Sequence, residues 1–131
     1  MRSLIVEDDY ITSEVMNEIL LAFGESDIAA DGREALEKFS EAYENENPYD
    51  VIFLDIMMPE FDGQEVLERI REIEDYHGVK GLDRCKIIMT TALDDFDNIA
   101  QAFKNQAEGY IVKPIDKDKI VAKLIEMDLL D

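Results

Sequence analysis

The sequence predicts an α/β protein: a doubly wound, five-stranded parallel sheet in (βα)5 order, formed by one domain over residues 1–131. Three observations predict it. Short apolar runs recur along the chain and are continuous rather than alternating, as strands covered on both faces require. Between them lie segments with apolar residues at helical spacing, each opened by an acidic residue in capping position. The two kinds alternate strictly, with no repeat, linker or low-complexity segment. Right-handed crossovers between such units place helices on both faces of one sheet.

The elements follow in order. Leu4-Ile5-Val6 is the first strand, and after Glu7-Asp8-Asp9 the residues Ile11, Val15, Ile19 and Phe23 share one helical face. Ile28-Ala29-Ala30 is a weaker second strand. Asp31 with Glu34 has the spacing of a capping box and opens a helix bearing Leu36, Phe39 and Tyr43. Val51-Ile52-Phe53-Leu54 is the third strand and runs straight into Asp55. Asp62 and Glu65 repeat the capping spacing ahead of Val66, Ile70 and Ile73. "EDYHGVKGLDRCK", Glu74 to Lys86, reads as an extended loop in which His77, the only histidine, is solvated. Ile87-Ile88-Met89 is the fourth strand and ends in Thr90-Thr91-Ala92. Phe96, Ile99, Ala100 and Phe103 mark a fourth helix beginning near Asp94. Tyr110-Ile111-Val112 ends in Lys113-Pro114, and Ile120, Leu124 and Met127 mark a last helix capped by Asp116.

Apolar residues make up 47% of the chain, enough for a core, and charged residues 34%. Thirteen Lys and Arg against 32 Asp and Glu leave a net charge of −19. That field repels phosphate backbones and anionic membranes, which argues against direct nucleic-acid or membrane binding. No secretory signal or membrane span is legible. A single cysteine, Cys85, allows no internal disulfide and suits the cytoplasm, and it is expected to be a buried apolar residue.

In doubly wound sheets the functional crevice lies beyond the carboxyl ends of the strands. There stand Glu7-Asp8-Asp9, Asp55, Thr90-Thr91 and Lys113. Several carboxylates around one ammonium repel one another, and a hard divalent cation such as Mg²⁺ removes the conflict. Asp55 can then stay ionised and attack a phosphoryl group. The oxygens of the resulting acyl phosphate would be met by the metal, by Lys113, and by a Thr hydroxyl or a backbone N–H. Each of these residues alone is a common turn, cap or surface residue. The required mixture at one end of four strands carries the inference.

These residues lie in "LIVEDD", "DGREAL", "DIMMPEFDG", "IIMTTA" and "GYIVKPI", and the chain so marked resembles the receiver domain of two-component response regulators, in its CheY-like, single-domain form. The resemblance covers essentially the whole chain. It implies the strand order 2-1-3-4-5. It implies Asp55 as phosphoacceptor, with Mg²⁺ (Mn²⁺ able to substitute) held by Glu7, Asp8, Asp55 and the Met57 backbone carbonyl. Asp8 is then the direct acidic ligand, and Asp9 caps the first helix. Thr91, followed by Ala92, is the switch hydroxyl, Lys113 contacts the phosphoryl group from a cis Lys113–Pro114 peptide, and Tyr110 is the aromatic switch residue.

The implied function is a phosphorylation-dependent signalling switch, not an enzyme acting on an outside substrate. Its phosphoryl donor would be a histidine kinase or a histidine phosphotransfer protein. A downstream target would bind the face of the fourth helix, fifth strand and fifth helix, where Lys104, Asn105 and Lys117 are expected exposed. The chain would act without an output domain, as a monomer or a phosphorylation-linked dimer. Met57 and Leu93 are apolar where many relatives carry polar groups that guide water, which implies slow self-dephosphorylation. A phosphohydrolase would carry Asp-x-Asp where this chain has Asp55-Ile56-Met57. A flavin module would need a Ser/Thr/Gly-rich loop where three acids stand, and a docking scaffold that had lost phosphorylation would not need the complete set.

Overall fold

The computed structural model of the chain describes residues 1–58, 62–92 and 96–130. Five strands alternate with five helices: β1 (Arg2–Val6), α1 (Tyr10–Leu21), β2 (Glu25–Ala29), α2 (Gly32–Glu44), β3 (Val51–Asp55), α3 (Gly63–Tyr76), β4 (Lys86–Thr91), α4 (Phe96–Lys104), β5 (Gly109–Val112) and α5 (Lys117–Glu126). The strands form one sheet in the order β2-β1-β3-β4-β5, and every pairing is parallel. The doubly wound α/β fold expected from the sequence is therefore present.

Period-two alternation divides the strand side chains between two cores. Leu4, Val6, Ile52, Leu54, Ile87 and Met89 face α2, α3 and α4, meeting Phe39, Val66 and Ile70 there. Ile5, Val51, Phe53, Ile88 and Ile111 face α1 and α5, meeting Met16, Leu20, Ile120 and Leu124. Both faces of the sheet are thus dry, which is why the strands read as unbroken apolar runs.

The expected caps form with two differences of detail. Asp9, Asp31 and Asp116 each accept from the backbone N–H three residues on, at 2.8–2.9 Å. The Asp31 box closes one residue early, because Glu34 accepts from Ala30 N–H rather than from Asp31 N–H. Asp62 accepts from Gln64 N–H at 2.9 Å, and Glu65 turns instead toward Arg69. The expected start of α4 near Asp94 lies outside the described residues.

One expected boundary is corrected, and in two of the expected helices the structure assigns the buried side. The buried stripe of α1 is Ser13, Met16 and Leu20, whereas Ile11 is 72% and Val15 45% exposed. This helix is apolar on two sides, so an apolar stripe does not by itself identify the side that meets the sheet. Among the described side chains of α4 the buried one is Ala102, while Ala100 and Phe103 are exposed. The stretch expected as a loop from Glu74 is helical through Tyr76, and the connection to β4 contains a 3-10 turn at Gly81–Asp83.

Glu74 is fully buried. Its carboxylate takes Arg71 Nη1 at 2.6 Å and the Cys85 amide at 2.7 Å. Arg71, also buried, donates further to Cys85 O at 3.0 Å, to Gln106 O and to both Glu108 oxygens. Burial pushes the Glu108 carboxyl up, against the lowering effect of the Ile87 amide and Arg71. His77 closes α3, is exposed as expected, and stacks on Tyr43 with ring centroids 4.7 Å apart. Cys85 is buried, and desolvation holds its thiol well above the usual value.

Removing one partner of this cluster leaves a desolvated charge. Arg71→Met is expected to lower the unfolding free energy by about 3 kcal/mol. Adding Glu74→Met to it restores part of that loss, as urea denaturation will show.

Candidate functional site

The acidic residues come from two adjacent strands. Glu7 directly follows β1, where its own amide is held by Ala29 O at 3.1 Å, and Asp55 is the last residue of β3. Both are buried, while Asp8 is exposed. Carboxylate oxygens of Glu7, Asp8 and Asp55 lie within 4.8 Å of one another. Among the described residues one cation faces them: Lys113 Nζ, just beyond β5, stands 2.8 Å from Glu7 Oε1 and 3.2 Å from Asp55 Oδ2. The Glu7 contact is an ion pair without hydrogen-bond alignment, since Oε1 has no hydrogen-bond partner. Asp55 Oδ1 accepts from the Met57 amide at 3.1 Å.

The electrostatics follow from this crowding. Burial raises the pKa of Glu7, and the neighbouring Asp55 carboxyl adds to it, with Lys113 opposing. Asp8 is raised by desolvation and by Glu7. Asp9 behaves oppositely: its carboxyl takes the Thr12 hydroxyl and amide and is lowered. It caps α1 and stands outside the cluster. Burial works against the Lys113 charge, yet Glu7 and Asp55 outweigh it and its pKa rises. Three oxygen-donor acids with one ammonium and little other hydrogen-bond donation fit a small hard cation.

The remaining candidates surround this centre. Thr91 ends β4 and is buried, its hydroxyl donating to Ala92 O at 3.2 Å, while Thr90 sits opposite Asp55 in the strand register. The Lys113–Pro114 peptide is cis. Tyr110 on β5 points outward, 37% exposed, with its ring edge-on to Phe103 at 6.2 Å and Lys123 Nζ 5.8 Å from its centroid. Lys104 and Lys117 are exposed and Asn105 is half-buried. Pro59 and Leu93 lie outside the described residues. Two features were not found by sequence reasoning. Gln64 is buried beside the site and bonds to Asn98 O, and an exposed apolar strip on α1 reaches the Lys113–Ile115 segment. No signal marked the amide as buried, whereas the excess of apolar residues on α1 did hint at an open face.

A family model of the response regulator receiver domain matches residues 3–125. The chain is 37% identical over 127 residues to the regulatory protein VanRB of Enterococcus faecalis, covering 96% of this chain and 51% of that protein. It is 34% identical over 131 residues to the probable histidine kinase 2 of Oryza sativa subsp. indica, covering 92% of this chain and 12% of that one. The chain therefore spans about half or less of the length of these relatives. Among solved structures, it matches a chain of the CheX-CheY-BeF3-Mg²⁺ complex of Borrelia burgdorferi with a TM-score of 0.81 and 28% identity, covering 99% of this chain and 90% of that one.

The raised Glu7 pKa sets a pH dependence. Between pH 4.5 and the higher folded value, the folded state keeps a proton that the unfolded state releases, so stability falls as pH rises. The raised Lys113 value acts elsewhere, its contribution being complete below pH 10.5 and lost only as pH rises through the folded value. In divalent-free buffer, Glu7→Gln is expected to melt above wild type at pH 7, with the gap narrowing toward pH 4.5. Melting at or below wild type at pH 7 would contradict the crowding.

Proposed function

The chain belongs to the response regulator receiver family, and we propose that it accepts a phosphoryl group on Asp55 from a phosphohistidine of a histidine kinase or a histidine phosphotransfer protein. The observation that carries this reading is the approach of Lys113 to a buried strand-end carboxylate that two further acids crowd. An Asp55 oxygen attacks phosphorus, the P–N bond breaks, and the electron pair leaves with the imidazole, which takes up a proton. An acyl phosphate forms on Asp55. The Met57 amide orients the carboxylate through Oδ1, and the Lys113 ammonium meets a phosphoryl oxygen. Glu7, Asp8, Asp55 and the Met57 carbonyl would hold Mg²⁺ or Mn²⁺, which supplies positive charge to the carboxylates and to the transferring group.

Chemistry beside the site supports a protein donor. Ile11, Val15, Pro114 and Ile115 line a groove of about 490 Å³ that opens onto Lys113. A helical partner covering this apolar strip would bring its histidine to Asp55 with water excluded. No described helix is long and apolar enough to cross a membrane.

Output follows from a population shift. When the phosphoryl group draws the Thr91 hydroxyl away from Ala92 O, space opens behind it and the outward Tyr110 ring moves in. That changes the surface of α4, β5 and α5, where exposed Lys104 and Lys117 offer charge to an acidic target. A phosphatase reading is disfavoured, because Met57 stands where a leaving-group acid is required.

A small phosphodonor with Mg²⁺ is expected to add one phosphoryl mass to the wild-type chain and none to Asp55→Ala; equal labelling of both would end the proposal. Met57 is exposed beside Asp55 and offers no hydrogen bond to attacking water. The phosphorylated protein should accordingly lose its label more slowly than a Met57→Asn/Leu93→Glu variant, followed by the decay of intact mass.

A further inference from the structure

Two buried polar side chains of α3, seven residues apart, hold α4 at both of its ends. At the first turn, Gln64, 7% exposed, donates from Nε2 to Asn98 O at 2.7 Å. The acceptor is a backbone carbonyl, so the amide orientation is fixed. Beyond the last turn, Arg71 donates to Gln106 O from Nε at 3.2 Å and to the Glu108 oxygens at 2.7 and 2.9 Å.

The two grips differ in kind. Arg71 is charged, multidentate, backed by Glu74, and placed where a cation complements the helix dipole. Gln64 makes a single neutral side-chain bond, and its Oε1 is buried with no partner among the described residues. A carbonyl left without a donor weakens the arrangement that buries it. Of the two holds from α3, the one at the C-terminal end of α4 is therefore the stronger and the one at its first turn the weaker.

The weaker hold is the one nearer the acidic site. Asn98 lines a cavity of about 760 Å³ together with Asp8, Met57 and Asp62. The base of the Gln64 grip is rigid. The Gly63 amide donates to Ile56 O at 3.0 Å, and a Cβ at Gly63 would stand 2.5 Å from Asp55 O. The first turn of α3 is thus pressed onto the end of β3, and between the two helices it is α4 that has freedom to shift.

We infer that Gln64 is a latch and Arg71 a pivot for α4: when a phosphoryl group occupies Asp55, the first turn of α4 leaves Gln64 and the helix swings about its C-terminal end. This rests on the reading of Asp55 as phosphoacceptor and makes both side chains positioning residues for the switch. The latch favours the unphosphorylated arrangement. Removing it therefore shifts the equilibrium toward the form that the phosphoryl group prefers, and by linkage tightens binding of a phosphoryl mimic by the same factor.

The test titrates beryllofluoride with Mg²⁺ into wild type and Gln64→Met, reading affinity from backbone amide shifts and stability from thermal melting. Gln64→Met keeps the side-chain length and removes the donor. It is expected to bind the mimic about fivefold more tightly, the effect of one neutral hydrogen bond, while melting within a few degrees of wild type. Wild-type binding with unchanged or weaker binding by the variant overturns the latch alone; a wild type that does not bind takes the phosphoacceptor reading down with it. Hydrogen exchange on the wild type gives a second, independent readout. On beryllofluoride binding, exchange should quicken in the first half of α4 and stay constant at Asn105 and Ala107. Uniform change along α4 overturns the pivot.

Discussion

The Lys113 ammonium, set between the buried carboxylates of Glu7 and Asp55, is the interaction on which the rest of the site depends. It comes from β5 and reaches acids at the ends of β1 and β3, so the strand order decides whether the three can meet. One positive charge is too little for three acids within 4.8 Å. Burial first, and the Asp55 carboxyl beside it second, raise the Glu7 pKa against the lowering effect of Lys113, and a donor set so crowded is one that a further cation would relieve.

At the opposite end of the sheet, Arg71 meets Glu74 and Glu108, again one cation with two acids. There each carboxylate also takes a backbone amide, from Cys85 and Ile87 respectively, at 2.6–2.7 Å. That cluster is satisfied by the protein itself and serves the fold. At the tip, among the described residues, the one backbone amide that Asp55 takes is that of Met57, at 3.1 Å, and Glu7 has a long contact of 3.4 Å from Asp9 N–H. The same residue types are satisfied where backbone amides meet them at 2.6–2.7 Å and left crowded where the backbone donates only at 3.1–3.4 Å.

The sequence showed some of this and hid the rest, for physical reasons. Strands buried on both faces are continuously apolar, so β1, β3, β4 and β5 were plain, and their ends named Glu7, Asp55, Thr91 and Lys113. The half-exposed edge strand β2 was fainter because fewer of its side chains are buried. The sheet-facing side of α1 could not be read, since Ile11 and Val15 are as apolar as Met16 and Leu20. Arg71 and Glu74 look like an ordinary exposed helix pair; their burial depends on Cys85, Gln106 and Glu108, which local periodicity does not connect to them. Gln64 was invisible for the same reason, its partner being 34 residues away.

The central claim is that the strand-end acids are under-neutralised until a divalent cation joins Lys113. Carboxyl-carbon NMR titration of Glu7, with and without saturating Mg²⁺, tests it most directly. The midpoint is expected above 4.5 in the metal-free protein and falls when Mg²⁺ is added. A Glu7 titration that Mg²⁺ leaves unmoved would contradict it.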